Sequence, residues 1–205
     1  MSRPGALSWA LLGVLALPRG AGAWGFLPGS SGAGLRLGVH YPTATNGLDL
    51  ATRSGYGGGF HYFHLPSEWF QWGFELDGLY MRKGTADLKP GETPGNRFSA
   101  VASAAFLTGR LNLIFERSWT LYVLGGGGTH QTWASLQTPA GKAARRDPGL
   151  AVLAAAGVET FLLKDMSVAF EARYLELRLD RGQFGIDAAE TLAYQAGLSW
   201  WFDVQ

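Results

Sequence analysis

The stretch "WFQWGFELDGLY" (69–80) decides how the rest of the chain is read. Phe70, Trp72, Phe74, Leu76 and Tyr80 fall on one side of a two-residue period, and Gln71, Gly73, Glu75 and Asp77 fall on the other. Such alternation describes a strand with one apolar and one polar face. It recurs in "GLRLGVHY" (34–41), where Leu35, Leu37, Val39 and Tyr41 oppose Arg36, Gly38 and His40. In "GYGGGFHYFH" (55–64), Tyr56, Phe60 and Tyr62 oppose Gly57, Gly59 and His61. Further strands fit 98–115, 119–133, 149–163, 166–179 and 190–202, which makes eight.

The connections sort by length. Tight turns are expected at "LPSE" (65–68), "ERS" (116–118) and "KD" (164–165), and longer polar loops at 42–54, 82–96, 134–148 and 180–189. Short turns at one rim and long loops at the other are the pattern of a membrane barrel, with the loops outside the cell. The reading is therefore all-β: an eight-stranded antiparallel up-and-down transmembrane β-barrel.

Composition agrees and excludes much else. The 205 residues suit one domain, and a net charge of +1 speaks against a nucleic-acid surface. Hydrophobic residues make up 47 % of the chain while mean hydropathy is only +0.03, which fits alternating strands and not a bundle of apolar helices. With no cysteine there is no disulfide, thiolate metal site or Cys nucleophile. At the N-terminus, "MSRPG" carries a positive charge, "ALSWALLGVLAL" (6–17) is a short apolar run and "AGA" (21–23) is small-x-small. Residues 1–23 read as a signal peptide and 24–205 as the barrel domain. A buried N-terminal helix is the other reading of that run.

A soluble lipocalin-like barrel would turn its apolar face inward, so orientation must be argued. The four lysines, Lys83, Lys89, Lys142 and Lys164, all lie in expected loops or at strand ends, whereas a wet sheet face usually carries lysine. The polar face is mostly Gly, Ala, Ser and Thr, which suits a narrow interior. The aromatics form two belts: Tyr41, Tyr56, Tyr80, Phe98 and Trp133 near the long loops, and Trp69, Phe70, Phe115, Trp119, Phe161, Trp200 and Phe202 near the short turns. The apolar face therefore meets lipid.

The segment "QAGLSWWF" (195–202) resembles the C-terminal signal read by the bacterial barrel-assembly machinery, with Gln195, Gly197, Trp200 and Phe202 in the matching positions. Here "DVQ" follows Phe202, where many such barrels end on the aromatic. "FELDGLYMRKG" (74–84) resembles the third-strand hairpin segment of the small bacterial outer-membrane β-barrel domain family, of OmpA/OmpX type, and "EARYLELRL" (171–179) its seventh strand. The resemblance implies the fold, a bacterial outer membrane and a lumen filled by side chains. It brings no catalytic residue.

The polar faces together define a lumenal set: Arg36, His40, Glu75, Asp77, Arg110, Glu159, Glu171, Arg173 and Gln195. Three arginines against four carboxylates, inside a barrel just wide enough to be filled, should pair into a plug. A gated ion path, in which a pair such as Glu75–Arg110 exchanges partners, is the functional alternative.

Several features leave the face assignment open. In 166–179, Val168, Phe170, Ala172 and Tyr174 share a face, and then Leu175, Leu177 and Leu179 take over, through either a bulge or a strand continuing above the membrane. "GGGG" (125–128) erases the faces of the fifth strand, and no Lys-Ser/Thr follows to make it a phosphate loop. "HYFH" (61–64) puts its histidines on opposite faces, unsuited to one metal. "THQTW" (129–133) puts His130 and Thr132 on one face, similar to the His-x-Ser pair of outer-membrane lipid A deacylases, with Thr for Ser. The other reading is an interface histidine beside the aromatic belt.

The expectation is a non-enzymatic outer-membrane barrel with a structural or surface-interaction role and no cofactor. A narrow channel for ions or small solutes stands second, and a lipid A-modifying enzyme third. Expected partners are outer-membrane lipid and lipopolysaccharide, the latter through Lys142, Arg145 and Arg146, together with periplasmic chaperones and the assembly machinery. No nucleic acid is expected, and the barrel is expected to be a monomer.

Overall fold

The computed structural model describes residues 27–43, 54–83, 97–115, 119–180 and 188–202. The signal-peptide boundary at residue 23 and the turn at 116–118 lie outside the described residues. Eight strands follow in chain order: β1 (Ser31–Pro42), β2 (Ser54–Ser67), β3 (Phe70–Lys83), β4 (Arg97–Phe115), β5 (Trp119–Thr138), β6 (Gly141–Leu163), β7 (Met166–Arg178) and β8 (Ala188–Phe202). Each pairs antiparallel with its neighbours, and β1 pairs with β8, closing the ring. Closure leaves no sheet edge within the ring, which a strand structure in lipid requires.

The two-residue period sets the faces. Leu35, Leu37, Tyr56, Phe60, Trp72, Phe74, Leu76, Leu107, Val152, Phe170 and Trp200 are exposed on the outer wall, while Arg36, Glu75, Arg110, Glu159, Glu171 and Arg173 are buried within. An outer wall this apolar and a charged interior invert the arrangement of a soluble barrel, and the barrel is of the transmembrane type.

The loop expected at 134–148 is not a loop. β5 runs through Thr138, the chain turns at 139–140 and β6 begins at Gly141, with Gln137 opposite Lys142 and Trp133 opposite Arg146. β5 and β6 contain 20 and 23 residues, whereas roughly 9–11 suffice to cross a bilayer. Their ends therefore project as a ribbon beyond the barrel rim. Water wets both faces of such a ribbon, so its sequence loses the apolar alternation that marks the wall. At the opposite rim, the expected turn at 65–68 falls at 68–69, because Leu65 still exchanges backbone hydrogen bonds with Gly29 and Ser30.

The two ambiguous stretches resolve without a change of phase. β7 pairs with β8 continuously from Met166 to Arg178, so no bulge interrupts it there. Leu175 and Leu177 simply follow Arg173 on the lumenal face. In β5 the lumenal positions are Tyr122, Leu124, Gly126, Gly128, His130 and Thr132, and Gly125 and Gly127 face outward. Gly128 is required by close approach: a Cβ there would collide with the Ala105 carbonyl oxygen. Its partner across the ladder, Phe106, is the bulky residue that fills the lumen at this level.

Both belts form on the outer wall, with Tyr41, Tyr56, Tyr80 and Trp133 towards one rim and Trp69, Trp200 and Phe202 towards the other. Phe161 does not join them. It lies two residues from Glu159 on the same strand face, is buried, and packs against Trp201 inside the barrel. The side chains of Phe98 and Phe115 lie outside those described.

Candidate functional site

The lumen is stratified. Near the short-turn rim, Leu65, Phe161 and Trp201 form an apolar cluster with Phe63 packed against it. Towards the opposite rim, Leu79, Met81, Ala102, Ala104, Phe106, Ala151, Leu153, Leu175, Leu177 and Ala189 form a larger one. Between the two lies the charged layer.

Its centre is Glu75. Arg36 reaches it from β1 with Nη1 donating to Oε1 at 3.1 Å and Nη2 to Oε2 at 2.7 Å, and Arg173 from β7 donates to the same Oε2. Asp77 lies 3.5 Å from both guanidinium groups. Arg173 also donates to Gln195 Oε1 at 3.0 Å, and the Gln195 amide stands 3.2 Å from His40 Nε2. These bonds tie β1, β3, β7 and β8 across the interior. Two-pronged guanidinium–carboxylate contacts such as Arg36–Glu75 combine strength with fixed geometry.

A second group lies nearer the short turns. Arg110 donates to Glu159 and, through Nε, to Asn112 Oδ1 at 3.0 Å. Its guanidinium lies 3.5 Å from the centre of the Tyr122 ring, and the Tyr122 hydroxyl donates to Glu171 at 2.6 Å. Ser167 donates to Glu159, and the Trp201 indole donates to Ser167 at 2.8 Å. Charged layer and apolar cluster are thus bonded to one another. Arg110 pairs with Glu159 and not with Glu75, so the exchanging pair suggested by the sequence is not the one formed.

Gln195 and Gly197 face the lumen, and Trp200 and Phe202 face outward on the last strand. His61 is lumenal with Nε2 2.9 Å from the Ser199 hydroxyl, while His64 bonds Ser31 at 3.0 Å. Among the described residues no cluster of His, Asp or Glu could hold a metal.

The pair His130 and Thr132 is placed differently from either reading of the sequence. Both are buried on the lumenal face above the larger apolar cluster, and neither faces lipid or the belt. The reason is parity: Trp133 faces outward, so Thr132 and His130 face inward. His130 Nε2 donates to the Arg178 carbonyl at 2.8 Å, and the Thr132 hydroxyl donates to Nδ1 at 2.9 Å. Asp147, opposite Thr132 and also buried, accepts the Asp180 backbone N–H at 2.6 Å.

Among the lumenal polar residues outside the set read from the sequence are Tyr122, Asn112 and Ser167, which bond its charged members. Their parity relative to Arg110, Glu159 and Glu171 was the available signal, since each is an even number of residues from a charged neighbour or its ladder partner.

No protein-family model matches the chain, and no curated protein matches it. Solved structures do. The crystal structure of Ail, the attachment invasion locus protein of Yersinia pestis, is 15 % identical, with 86 % of this chain and 100 % of that chain covered and a TM-score of 0.51. Neisserial surface protein A (NspA) is 13 % identical over 83 % of this chain and 96 % of its own, with a TM-score of 0.51. The outer membrane protein OprG from Pseudomonas aeruginosa is 11 % identical over 87 % and 98 %, with a TM-score of 0.50. The fold is that of the small eight-stranded outer-membrane barrels.

Proposed function

We propose that this chain is an integral protein of a bacterial outer membrane with a non-enzymatic, structural or surface-interaction role and a lumen closed by its own side chains. One observation carries the closed lumen: the layer of Arg36, Glu75, Asp77 and Arg173 lies between two apolar clusters, so an ion would have to displace both dry layers and the pairs between them. Purified barrel in a planar bilayer is expected to pass no stepwise current. Discrete current steps that disappear in an Arg110→Gln variant would replace this reading by the narrow channel.

The surface role rests on the projecting ribbon. Lys142, Arg145 and Arg146 are exposed on it, and Arg146 lies 5.7 Å from the centre of the Trp133 ring in the belt. Asp147, the next acid along, is turned into the lumen. Cations beside a belt aromatic stand at the level of lipid headgroups, where the phosphates of lipopolysaccharide are the partners of matching charge. A Lys142→Gln/Arg145→Gln/Arg146→Gln variant is expected to bind lipopolysaccharide micelles several-fold more weakly, with the difference vanishing at high salt. Equal binding by both proteins would remove lipopolysaccharide from this reading. Insertion needs periplasmic chaperones and the barrel-assembly machinery, with Gln195, Gly197, Trp200 and Phe202 as the signal, and the inserted barrel is a monomer.

A further inference from the structure

Between its two belts the outer wall is apolar except at one place. Among the described residues, the non-aromatic polar side chains that face outward there are Ser103 on β4 and Thr129 and Gln131 on β5. They are contiguous: Ser103 stands opposite Gln131 in the ladder, and Thr129 is the next outward residue of β5. Gln131 lies two residues inside the belt residue Trp133 and Thr129 four, which on a tilted strand is about 5 and about 10 Å below the belt. Hydrocarbon offers no hydrogen bonds, so polar groups at this depth are a cost, and they mark function.

The same outward face carries matched features above and below them. Above, Arg146 is the ladder partner of Trp133, and Lys142 lies four residues further out on the same side of the ribbon. Below, a Cβ on Gly127 would meet nothing within 4 Å, so the wall is recessed there. Leu107 and Val152, the two ladder partners of Gly127, are exposed on either side of it and bank a shallow channel. From rim to mid-wall the order is cation, hydrogen-bonding group, apolar channel.

That order is the order of parts in one class of lipid. Lipid A carries phosphates on a sugar, then amide, ester and hydroxyl groups, then acyl chains. A glycerophospholipid places ester carbonyls at the middle level, and these only accept hydrogen bonds. The amide and hydroxyl groups of lipid A donate as well as accept, as Ser103, Thr129 and Gln131 do. We infer that the outer wall of β4, β5 and β6 is a binding site for one lipid A molecule of lipopolysaccharide. Its phosphates lie at Lys142 and Arg146, its amide and hydroxyl groups at Ser103, Thr129 and Gln131, and one acyl chain in the channel over Gly127. The site deepens the lipopolysaccharide reading of the ribbon and rests on that reading for the phosphate end.

Native mass spectrometry of the full mature barrel, released from detergent after addition of hexa-acylated lipid A, tests this. The parent is expected to retain one lipid A. Thr129→Val/Gln131→Leu and Gly127→Leu put only apolar atoms on a lipid-facing wall, so both should show the folded band on an unboiled SDS gel. Each is expected to retain lipid A several-fold less than the parent. Ala172→Leu, exposed on β7 away from the site, is expected to retain as much as the parent. Parent-like retention by both site variants overturns the wall site. An equal loss of dioleoylphosphatidylglycerol from them also overturns it, since the wall would then seat any lipid. Lipopolysaccharide stripped of its acyl chains reads the cations separately. The Lys142→Gln/Arg145→Gln/Arg146→Gln variant is expected to bind it several-fold more weakly, and the wall variants to bind it like the parent. Unchanged binding by the triple variant overturns the ribbon reading, while retention of lipid A by the wall variants still decides the wall site.

Discussion

Arg36 and Glu75 grip each other from strands that are not neighbours. Arg36 is on β1 and Glu75 on β3, and the pair bridges over β2 with two hydrogen bonds of 3.1 and 2.7 Å. The bridge is possible because β2 is bare beneath it. Gly59 stands opposite Arg36 on one side and Asp77 on the other, and a Cβ at Gly59 would collide with Asp77 Oδ1. Glycine here keeps clear the space that the Asp77 carboxylate takes up beside the pair.

Removing Glu75 leaves Arg36 and Arg173 with only Asp77, 3.5 Å from each, between them. A buried pair broken from one side destabilises by about 3–5 kcal/mol. Glu75→Ala is therefore expected to unfold at markedly lower urea concentration in lipid vesicles. A loss below about 1 kcal/mol would mean that the charged layer fills the lumen without holding it together.

Gly127 and Gly128 give a matched pair. A Cβ on Gly127 meets nothing within 4 Å, while one on Gly128 runs into the Ala105 carbonyl. Gly127→Ala is expected to keep the folded band on an unboiled SDS gel up to the same temperature as the parent. Gly128→Ala, which must push β4 and β5 apart, is expected to lose that band at lower temperature or never to show it. Equal behaviour of the two variants would mean that the wall yields easily at this point.

The eight strands and their faces were legible because each wall strand has lipid on one side and a crowded polar interior on the other, a contrast that period-two alternation records directly. Legibility failed where that contrast fails. Residues 141–146 are paired strand exposed at every position, and their composition is that of a loop. Leu175 and Leu177 belong to an apolar layer inside the lumen, so an inward leucine imitated a change of phase. Phe161 was misplaced for the same reason, as an aromatic inside the barrel looks like one in the belt. The charged residues of the lumen were readable, but their partners were not, because pairing depends on which strands lie across the interior from one another. Arg110 with Glu159, and not with Glu75, follows from that geometry alone.

The larger apolar cluster should matter to stability independently of the charges. Phe106 is 1 % exposed within it, and truncating a buried phenylalanine costs about 3–5 kcal/mol. Phe106→Ala is expected to lower the urea midpoint by a comparable amount. The barrel should nonetheless stay silent in a planar bilayer, because the Arg36–Glu75–Arg173 contacts and the Trp201 cluster lie elsewhere along the lumen. Current in Phe106→Ala would assign the seal to this apolar layer and not to the ion pairs.

His130 separates a structural hydroxyl–imidazole pair from a catalytic one. Its Nε2–H is committed to the Arg178 carbonyl and its Nδ1 to the Thr132 hydroxyl, and both side chains are buried on the lumenal face. A lipid-modifying nucleophile needs access to acyl chains at the outer wall, and this pair is on the wrong side of the sheet for it. His130→Ala is therefore expected to leave the lipid A acylation pattern of producing cells unchanged. It should still lower stability by about 1–3 kcal/mol, because the Arg178 carbonyl and the Thr132 hydroxyl each lose a buried partner. Altered acylation on expressing the parent, abolished by His130→Ala and matched by Thr132→Val, would show that the strand opens to lipid and that the pair is chemical after all.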